Sequence, residues 1–390
     1  MKRTIAVVTT SRADYSHLYW VLRDLEAHPE VELKLIVLAA HLSPEFGAAV
    51  GEIVRDGFTI ASRIECLLSS DSDVGMAKTL GLAVLGLTDA LAQMRPDLLL
   101  LIADRYEMLA PASVALTLRI PVAHIEGGEI SEGAIDDAVR NALTKMAHIH
   151  FTSTDTARSR VISMGEEPWR VHRAGAPSLD HIRRSTLLTR AELERALELS
   201  LTDEVTVVAY HPVTIFKDTT AEADAVFAAL EALSGQIIFC YPNADAGSHD
   251  LIARVRSFCA THPDAHLFIN LASITYWGLL REASLLLGNS SSGIMEAASF
   301  ALPVVNVGIR QHGRERGPNI LDAEASVESI LAQVEQSRQP AFRESLRSMT
   351  NMYGDGHAAE RIVGVLTSTP IEGLLHKRAQ PLPAELRPPK

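Results

Sequence analysis

Cysteine is scarce in this chain. Cys66, Cys240 and Cys259 stand far apart with no C-x-x-C pair. That spacing excludes a disulfide framework and a thiolate zinc site, and it reads as three reduced core residues of a cytoplasmic protein. Positive charge is also short: 36 lysines and arginines against 48 acidic residues leave a net charge of −12. A nucleic-acid partner is thereby excluded, whereas a phosphate ligand, needing only local positive charge, is not. No uncharged apolar run reaches the ~18 residues of a membrane span. The opening Met-Lys-Arg passes straight into a β-like run without a signal-peptide cleavage pattern. Three chemistry-bearing motifs are absent as well. The turn after the first strand, Ser11-Arg-Ala-Asp-Tyr15, lacks G-x-G-x-x-G, so a nicotinamide or flavin dinucleotide is not expected. No G-x-S-x-G elbow occurs, and the fifteen histidines show no H-E-x-x-H spacing, so neither an esterase nucleophile nor a bound metal is expected.

What remains is a regular alternation of apolar β-branched runs and helical patterns. A chain of 390 residues is too long for one compact core and implies two domains. Strands are expected over 4–10, 31–38, 98–102, 121–125 and 148–151, and a second series over 205–210, 236–241, 266–269, 284–287 and 303–307. Continuous apolar strands separated by helices predict parallel sheets covered on both faces. The fold class is therefore α/β: two doubly wound, Rossmann-like domains with a central cleft. We place the first domain at 1–173, the second at 174–366 and a tail at 367–390, with the hinge in Ala174-Gly-Ala-Pro-Ser-Leu-Asp180. The proline-rich 380–390 is expected to fray. In such folds ligands sit beyond the carboxyl ends of the strands, so site residues are sought in post-strand loops of both halves.

The most informative such loop is Gly288-Asn-Ser-Ser-Ser-Gly-Ile-Met-Glu296, followed by the strand Pro303–Val307 and then Arg310. Gly288 and Gly293 are expected to let backbone approach a ligand. Ser290, Ser291 and Ser292 offer hydroxyls and N–H groups to an anion. Glu296 lies one turn further, within reach of sugar hydroxyls, and Arg310 is placed to neutralise phosphate. Diphosphate, ribose and countercharge together suggest a nucleotide. In the first half, Arg12 leaves the first strand as a second phosphate candidate, while Asp14 is a helix cap. Asp104 ends a strongly apolar strand, where half-desolvation is expected to raise its pKa. His124 and Glu126 alternate around Ile125 and so should share one face, with Gly127-Gly128 opening the backbone behind them. Asp136 and Asp137 open a helix. His211 leaves the first strand of the second half, facing the cleft, and Tyr241-Pro-Asn243-Ala-Asp245 adds polar groups at the same rim. His148 and His150 read as core or cleft-lining residues.

Ser11-Arg-Ala-Asp-Tyr15, His41-Leu-Ser-Pro-Glu-Phe46, His124-Ile-Glu-Gly-Gly-Glu129, Ile135-Asp-Asp137, Gly288-Asn-Ser-Ser-Ser292 and Arg310-Gln311 together resemble the hydrolysing UDP-N-acetylglucosamine 2-epimerases of sialic and related nonulosonic acid routes. The similarity runs in order from about residue 4 to about residue 366. The resemblance implies the glycosyltransferase-B arrangement, with a last helix, within 356–366, crossing back to the first domain. It implies Asp104, Glu126 and Asp136 as catalytic carboxylates and His211 as catalytic histidine. It carries over Ser290 and Ser291 to the diphosphate, Glu296 to the ribose, and Arg310 and Arg12 to the phosphate side; Ser292, Gly293 and Asn243 join the substrate-binding set from their places in the loops described above. The implied partners are a UDP-sugar and UDP, the implied assembly a homodimer or homotetramer, and no cofactor is required. His-Ile-Glu-Gly-Gly, and aspartate at 136 where non-hydrolysing relatives carry glutamate, favour the hydrolysing branch. The sugar stays open between UDP-GlcNAc and the 2,4-diacetamido-2,4,6-trideoxy sugar of the legionaminic acid route. A non-hydrolysing epimerase and a glycosyltransferase of the same architecture are the rival readings.

Overall fold

The computed structural model describes residues 2–44, 49–68, 70, 72–240, 247–268 and 271–381. Seven parallel strands form the first sheet: β1 (Arg3–Thr9), β2 (Val31–Leu38), β3 (Ile60–Ile64), β4 (Leu98–Ile102), β5 (Val122–Ile125), β6 (Ile149–Thr152) and β7 (Val171–Arg173). Their spatial order is β3-β2-β1-β4-β5-β6-β7. A second parallel sheet holds β8 (Val205–Ala209), β9 (Gln236–Cys240), β10 (Ala265–Phe268), β11 (Leu285–Gly288), β12 (Val304–Val307) and β13 (Ile320–Ala323), in the order β10-β9-β8-β11-β12-β13. In each sheet the order reverses beside the first strand, at β1/β4 and at β8/β11. Those are the switch points where post-strand loops part and leave a crevice.

The central strands are the ones sequence pattern finds, because both faces are covered and most residues are apolar; β4 is Leu-Leu-Leu-Leu-Ile with every position buried. The edge strands β3, β7 and β13 were not expected. They are short and half polar (Ile-Ala-Ser-Arg-Ile, Val-His-Arg and Ile-Leu-Asp-Ala), with one side or one end in water, so no continuous apolar run marks them.

Two chain segments join the lobes. The first is 174–180, where Gly175 takes φ +90° against the Tyr353 carbonyl. The second returns through 353–357 into the helix Ala358–Ser368, which packs on the helix Arg12–Ala27 and places Ala359, Ile362 and Leu366 in the first lobe's core. Asp180 joins the two crossings, accepting from the N–H groups of Ala358 (2.9 Å) and Ala359 (2.8 Å) at that helix's first turn. Beyond it the chain stays docked on the first lobe. Arg170 donates to the carbonyls of Leu374 (2.9 Å) and His376 (2.8 Å), and Lys377 pairs with buried Glu166 at 2.7 Å. The fraying expected of 380–390 falls mostly outside the described residues. His148 and His150 are buried in the first lobe's core: Val122 N–H donates to His148 Nδ1 at 3.1 Å, and His150 Nε2 meets Glu166 at 3.1 Å.

Among the described residues one helix, Asp73–Met94, is long and apolar enough by composition to cross a membrane, although Lys78 and Asp89 interrupt it. Its buried stripe is Gly75, Thr79, Ala83, Leu87 and Leu91, one residue every four, packed on the first lobe. Leu82 and Leu85 lie on the outer side, exposed.

Candidate active site between the lobes

The loops after β1, β4 and β5 face those after β8, β11 and β12, and the space between them forms two adjoining chambers. Arg12, Ser16, His17, His211, Cys240, Tyr276, Trp277, Ser290, Ser291, Ser292, Glu296 and Arg310 line the first. Asp104, Arg105, Tyr106, Glu126, Asp136, Met76 and Met295 line the second. His17, Arg105, Ser291 and Arg310 border both.

Two strands aim their acids by the same local device. Beyond β4, Ala103 sits in the left-handed region at φ +58°, and beyond β5, Glu126 itself does so at φ +65°. Non-glycine residues pay for that conformation, and it persists where surrounding structure demands it. Here Ala103 N–H is tied to the Ile125 carbonyl (3.0 Å) and Glu126 N–H to the Phe151 carbonyl (2.7 Å). The left-handed step corrects the expectation that His124 and Glu126 share a face, since alternation holds only while backbone is extended. His124 turns inward, its Nε2 2.7 Å from the Ala103 carbonyl, while Glu126 swings into the second chamber. Burial drops His124 to a pKa of about 4, so that imidazole is neutral.

Asp104 is not the bare, half-desolvated acid expected from its place after β4. The guanidinium of Arg140, one turn into the helix Asp136–Met146 and only 1% exposed, pairs directly with it. Arg140 also donates to the Glu129 carbonyl (3.0 Å) and to Ser131 Oγ (3.1 Å). Asp136 and Asp137 divide the work at the start of that helix. Asp137 accepts from Ser131 N–H at 2.8 Å and holds the loop, whereas Asp136 lines the chamber with Oδ2 3.5 Å from Arg310 Nη2 of the other lobe.

From the second lobe, His211 leaves β8 with its N–H bonded to Asn289 Oδ1 (2.8 Å) and its carbonyl bonded to Asn289 Nδ2 (2.9 Å). That reciprocal pair links the ends of β8 and β11. Burial, with Arg310 and Arg105 nearby, pushes His211 down to a pKa of about 3, so it is a neutral imidazole facing the first chamber. Ser290 caps the short helix Ser291–Met295, and Ser292 Oγ accepts from Tyr276 OH at 2.9 Å. Arg310 Nη1 donates to the Asn289 carbonyl at 3.1 Å. Two guanidinium nitrogens in this chamber's lining, Arg12 Nη1 and Arg310 Nε, are buried with no hydrogen-bond partner among the described residues. Buried charged donors without acceptors are costly in any resting protein and are satisfied by an anionic ligand.

Glu296 is buried at the floor, accepting from Ser178 Oγ of the first crossing segment at 2.7 Å. Neither Gly293 nor Gly288 is among the residues that line either chamber. A Cβ at Gly293 would lie 2.9 Å from Val304 Cγ1, and one at Gly288 would lie 2.2 Å from the Ala209 carbonyl oxygen. Both glycines let the turn pack against the sheet. Asn243 lies outside the described residues, as do Glu45 and Phe46.

One residue of the site carried no sequence signal. His17, on the helix Arg12–Ala27, places Nδ1 3.2 Å from Glu126 and Nε2 3.5 Å from Glu296. It follows the Ser11–Tyr15 turn by two positions, and a histidine in a helix is usually unremarkable. Only the register of that helix against the second lobe marks it out.

Two parallel sheets whose strand ends face each other across arginines, hydroxyls and carboxylates define a two-lobed α/β protein with a polar, charged cleft between its lobes. The model of the UDP-N-acetylglucosamine 2-epimerase family matches residues 23–367. A Legionella pneumophila protein named UDP-N,N'-diacetylbacillosamine 2-epimerase (hydrolyzing) is 37% identical over 373 residues, 95% of this chain and 97% of that protein. A Campylobacter jejuni protein named GDP/UDP-N,N'-diacetylbacillosamine 2-epimerase (hydrolyzing) is 37% identical over 326 residues, 83% of this chain and 85% of that protein. The solved Neisseria meningitidis UDP-GlcNAc 2-epimerase bound to UDP-GlcNAc shares the fold, with TM-score 0.79 at 17% identity over 94% of this chain and all of that one (100%). The chain belongs to the UDP-N-acetylglucosamine 2-epimerase family and is an enzyme acting on a nucleotide sugar.

Proposed function

We propose that the chain is a hydrolysing 2-epimerase. It takes a UDP-linked 2,4-diacetamido-2,4,6-trideoxyglucose, the sugar also called N,N'-diacetylbacillosamine, and releases UDP and the free manno-configured sugar as an early step toward nonulosonic acids. The observation that carries the reading is 37% identity, across nearly the whole chain, to a relative whose name states both that sugar and hydrolysis. The UDP-GlcNAc reading is retained as the second one, because a Neisseria meningitidis protein named UDP-N-acetylglucosamine 2-epimerase is 33% identical over 343 residues.

The reaction is proposed in two halves. A carboxylate removes the C2 proton as UDP leaves C1, giving a 2-acetamidoglycal. Water then adds to C1 while C2 is reprotonated from the opposite face. Asp104, Glu126, Asp136 and the neutral His211 are the groups proposed to carry these proton transfers. Arg12, Arg310, Ser290, Ser291 and Ser292 would hold the diphosphate, with the two orphaned guanidinium nitrogens supporting that placement. Glu296 would take the ribose hydroxyls in place of its present contacts. Negative charge builds on the leaving UDP, and the arginines meet it with fixed positive charge in a half-enclosed cleft. We also propose self-association through the outer face of the helix Asp73–Met94, where Val74, Leu82 and Leu85 are exposed. Sedimentation of Leu85→Glu against the parent chain checks that arm, and an unchanged mass removes it.

The functional test is proton NMR of the product in deuterated water, with each UDP-sugar offered separately and no acceptor present. UDP, a free manno-configured sugar and deuterium at C2 are expected, with the diacetamido sugar turned over faster than UDP-GlcNAc. An epimerised sugar still attached to UDP would indicate a non-hydrolysing epimerase. Intact substrate in both tubes would return the glycosyltransferase reading.

A further inference from the structure

His17 joins the two ends of the cleft. It belongs to the first lobe, yet it stands between Glu126 of that lobe (Nδ1 to Oε1, 3.2 Å) and Glu296 of the other (Nε2 to Oε1, 3.5 Å). Its titratable neighbours come from four places in the fold. Asp14 lies on its own helix, Glu126 on the loop after β5, and Glu296 at the end of the helix Ser291–Met295. His181, from the first crossing segment, donates from Nε2 to the Ser16 carbonyl at 2.8 Å and is neutral, held by burial at a pKa of about 4.

We infer that His17 is a positioning residue: as an imidazolium it ties the Glu126 carboxylate to the ribose-binding carboxylate Glu296, and so links seating of the nucleotide to the readiness of Glu126 as a base. The inference rests on the proposed reaction and deepens it. Its physical content is simple. A carboxylate buried as Glu126 is would ordinarily hold its proton. An adjacent cation keeps it ionised, and the Glu126 pKa lies below its ordinary value, burial being outweighed chiefly by His17 and Arg314. His17 is in turn raised to about 9, burial being outweighed by Glu126, Glu296 and Asp14. The imidazolium therefore persists through neutral pH. When ribose hydroxyls occupy Glu296, the Nδ1 bond to Glu126 remains, and the base is charged as the sugar arrives.

The test compares wild type, His17→Gln and His17→Lys by kcat/KM from pH 4 to 10, using whichever UDP-sugar the wild type turns over. The acid limb of kcat/KM reports the base in the free enzyme. Removing the cation raises the Glu126 pKa, so the limb in His17→Gln moves to higher pH by about one unit or more, and the loss in kcat/KM grows as pH falls, reaching about tenfold on the acid side of the limb while rates near pH 7 change little. His17→Lys restores the limb. Melting temperature and calorimetric UDP affinity, measured on all three proteins, separate this from loose folding. An unmoved acid limb in His17→Gln, or equal damage from Gln and Lys, overturns the inference. A wild type that releases no UDP from any UDP-sugar removes the functional proposal and this inference with it; an active wild type indifferent at position 17 removes the inference alone.

Discussion

Replacing Asp104 by asparagine tests two claims at once, because Asp104 is both a proposed acid–base group and the nearest countercharge to a buried guanidinium. Arg140 is 1% exposed, and burial drives its pKa well below the usual arginine value, with Arg314, Arg310 and Arg160 adding repulsion. Asparagine keeps an acceptor oxygen and Asp137 stays 3.6 Å from Arg140, so the loss falls short of a fully orphaned charge. A hydrogen bond to a charged partner contributes about 1.5–3 kcal/mol, and we take about 2 here. At about 2–4 °C per kcal/mol for lobes of this size, the melting temperature should fall by about 4–8 °C. Glu126→Gln is the contrasting variant. Its hydrogen-bonded cationic partner is His17 at 3.2 Å, and glutamine still accepts, so its melting temperature should fall by less than half as much. Both variants should lose about 10²–10⁴-fold in kcat, the usual worth of a positioned acid or base. That loss corresponds to about 3–5 kcal/mol of barrier. The measurements are calorimetric melting, coupled UDP release and UDP titration. An Asp104→Asn protein that melts like wild type refutes the ion-pair reasoning. A Glu126→Gln protein keeping a tenth of wild-type turnover refutes its catalytic role, and loss of UDP binding in either shows that a structural residue was taken for a catalytic one.

Three further outcomes are expected. Arg12→Ala should raise KM about 10–100-fold with little change in kcat, since a ground-state phosphate contact is lost; Arg310→Ala should raise KM and also lower kcat, because Arg310 also holds Asp136. Gly293→Ala should cost about 1–3 kcal/mol by overpacking against Val304 and Leu286, seen as a lower melting temperature with KM for the UDP-sugar unchanged; a KM increase without destabilisation would put Gly293 back in contact with ligand. Glu129 is buried, and burial raises its pKa from 4.5 to about 7 despite Arg314. A raised carboxyl favours the folded state while protonated, so this residue's contribution is fullest below pH 4.5 and fades as pH climbs to about 7. The full swing is on the order of 3 kcal/mol. Chemical denaturation of Glu129→Gln at pH 5 and pH 8 should therefore differ less than wild type does, and an identical pH dependence would count against the burial argument.

Much of this site was legible in the chain because post-strand loops in parallel sheets point at one crevice, and loops can be counted from apolar runs. Arg12, Asp104, Glu126, Asp136, His211, Ser290 and Arg310 were all singled out that way, and all of them line the cleft. Direction was harder to read than position. The alternation rule put His124 beside Glu126, but a left-handed residue at the strand's end sent one inward and the other into the cleft. Asp104 looked desolvated in sequence because its partner, Arg140, lies 36 residues further along. Three of the four edge strands, β3, β7 and β13, escaped notice because a short, half-polar edge strand carries no unbroken apolar pattern. By itself, then, the sequence determined the alternation of elements, the parallel sheets and the loops that could reach a ligand, since these follow from local periodicity and burial. Only the tertiary structure decided which charges meet: Arg140 with Asp104, Arg310 with Asp136, and His17 with two glutamates 109 and 279 residues away. The physical reason is that electrostatic pairing depends on separations of a few ångströms between elements, and no local pattern along the chain encodes those.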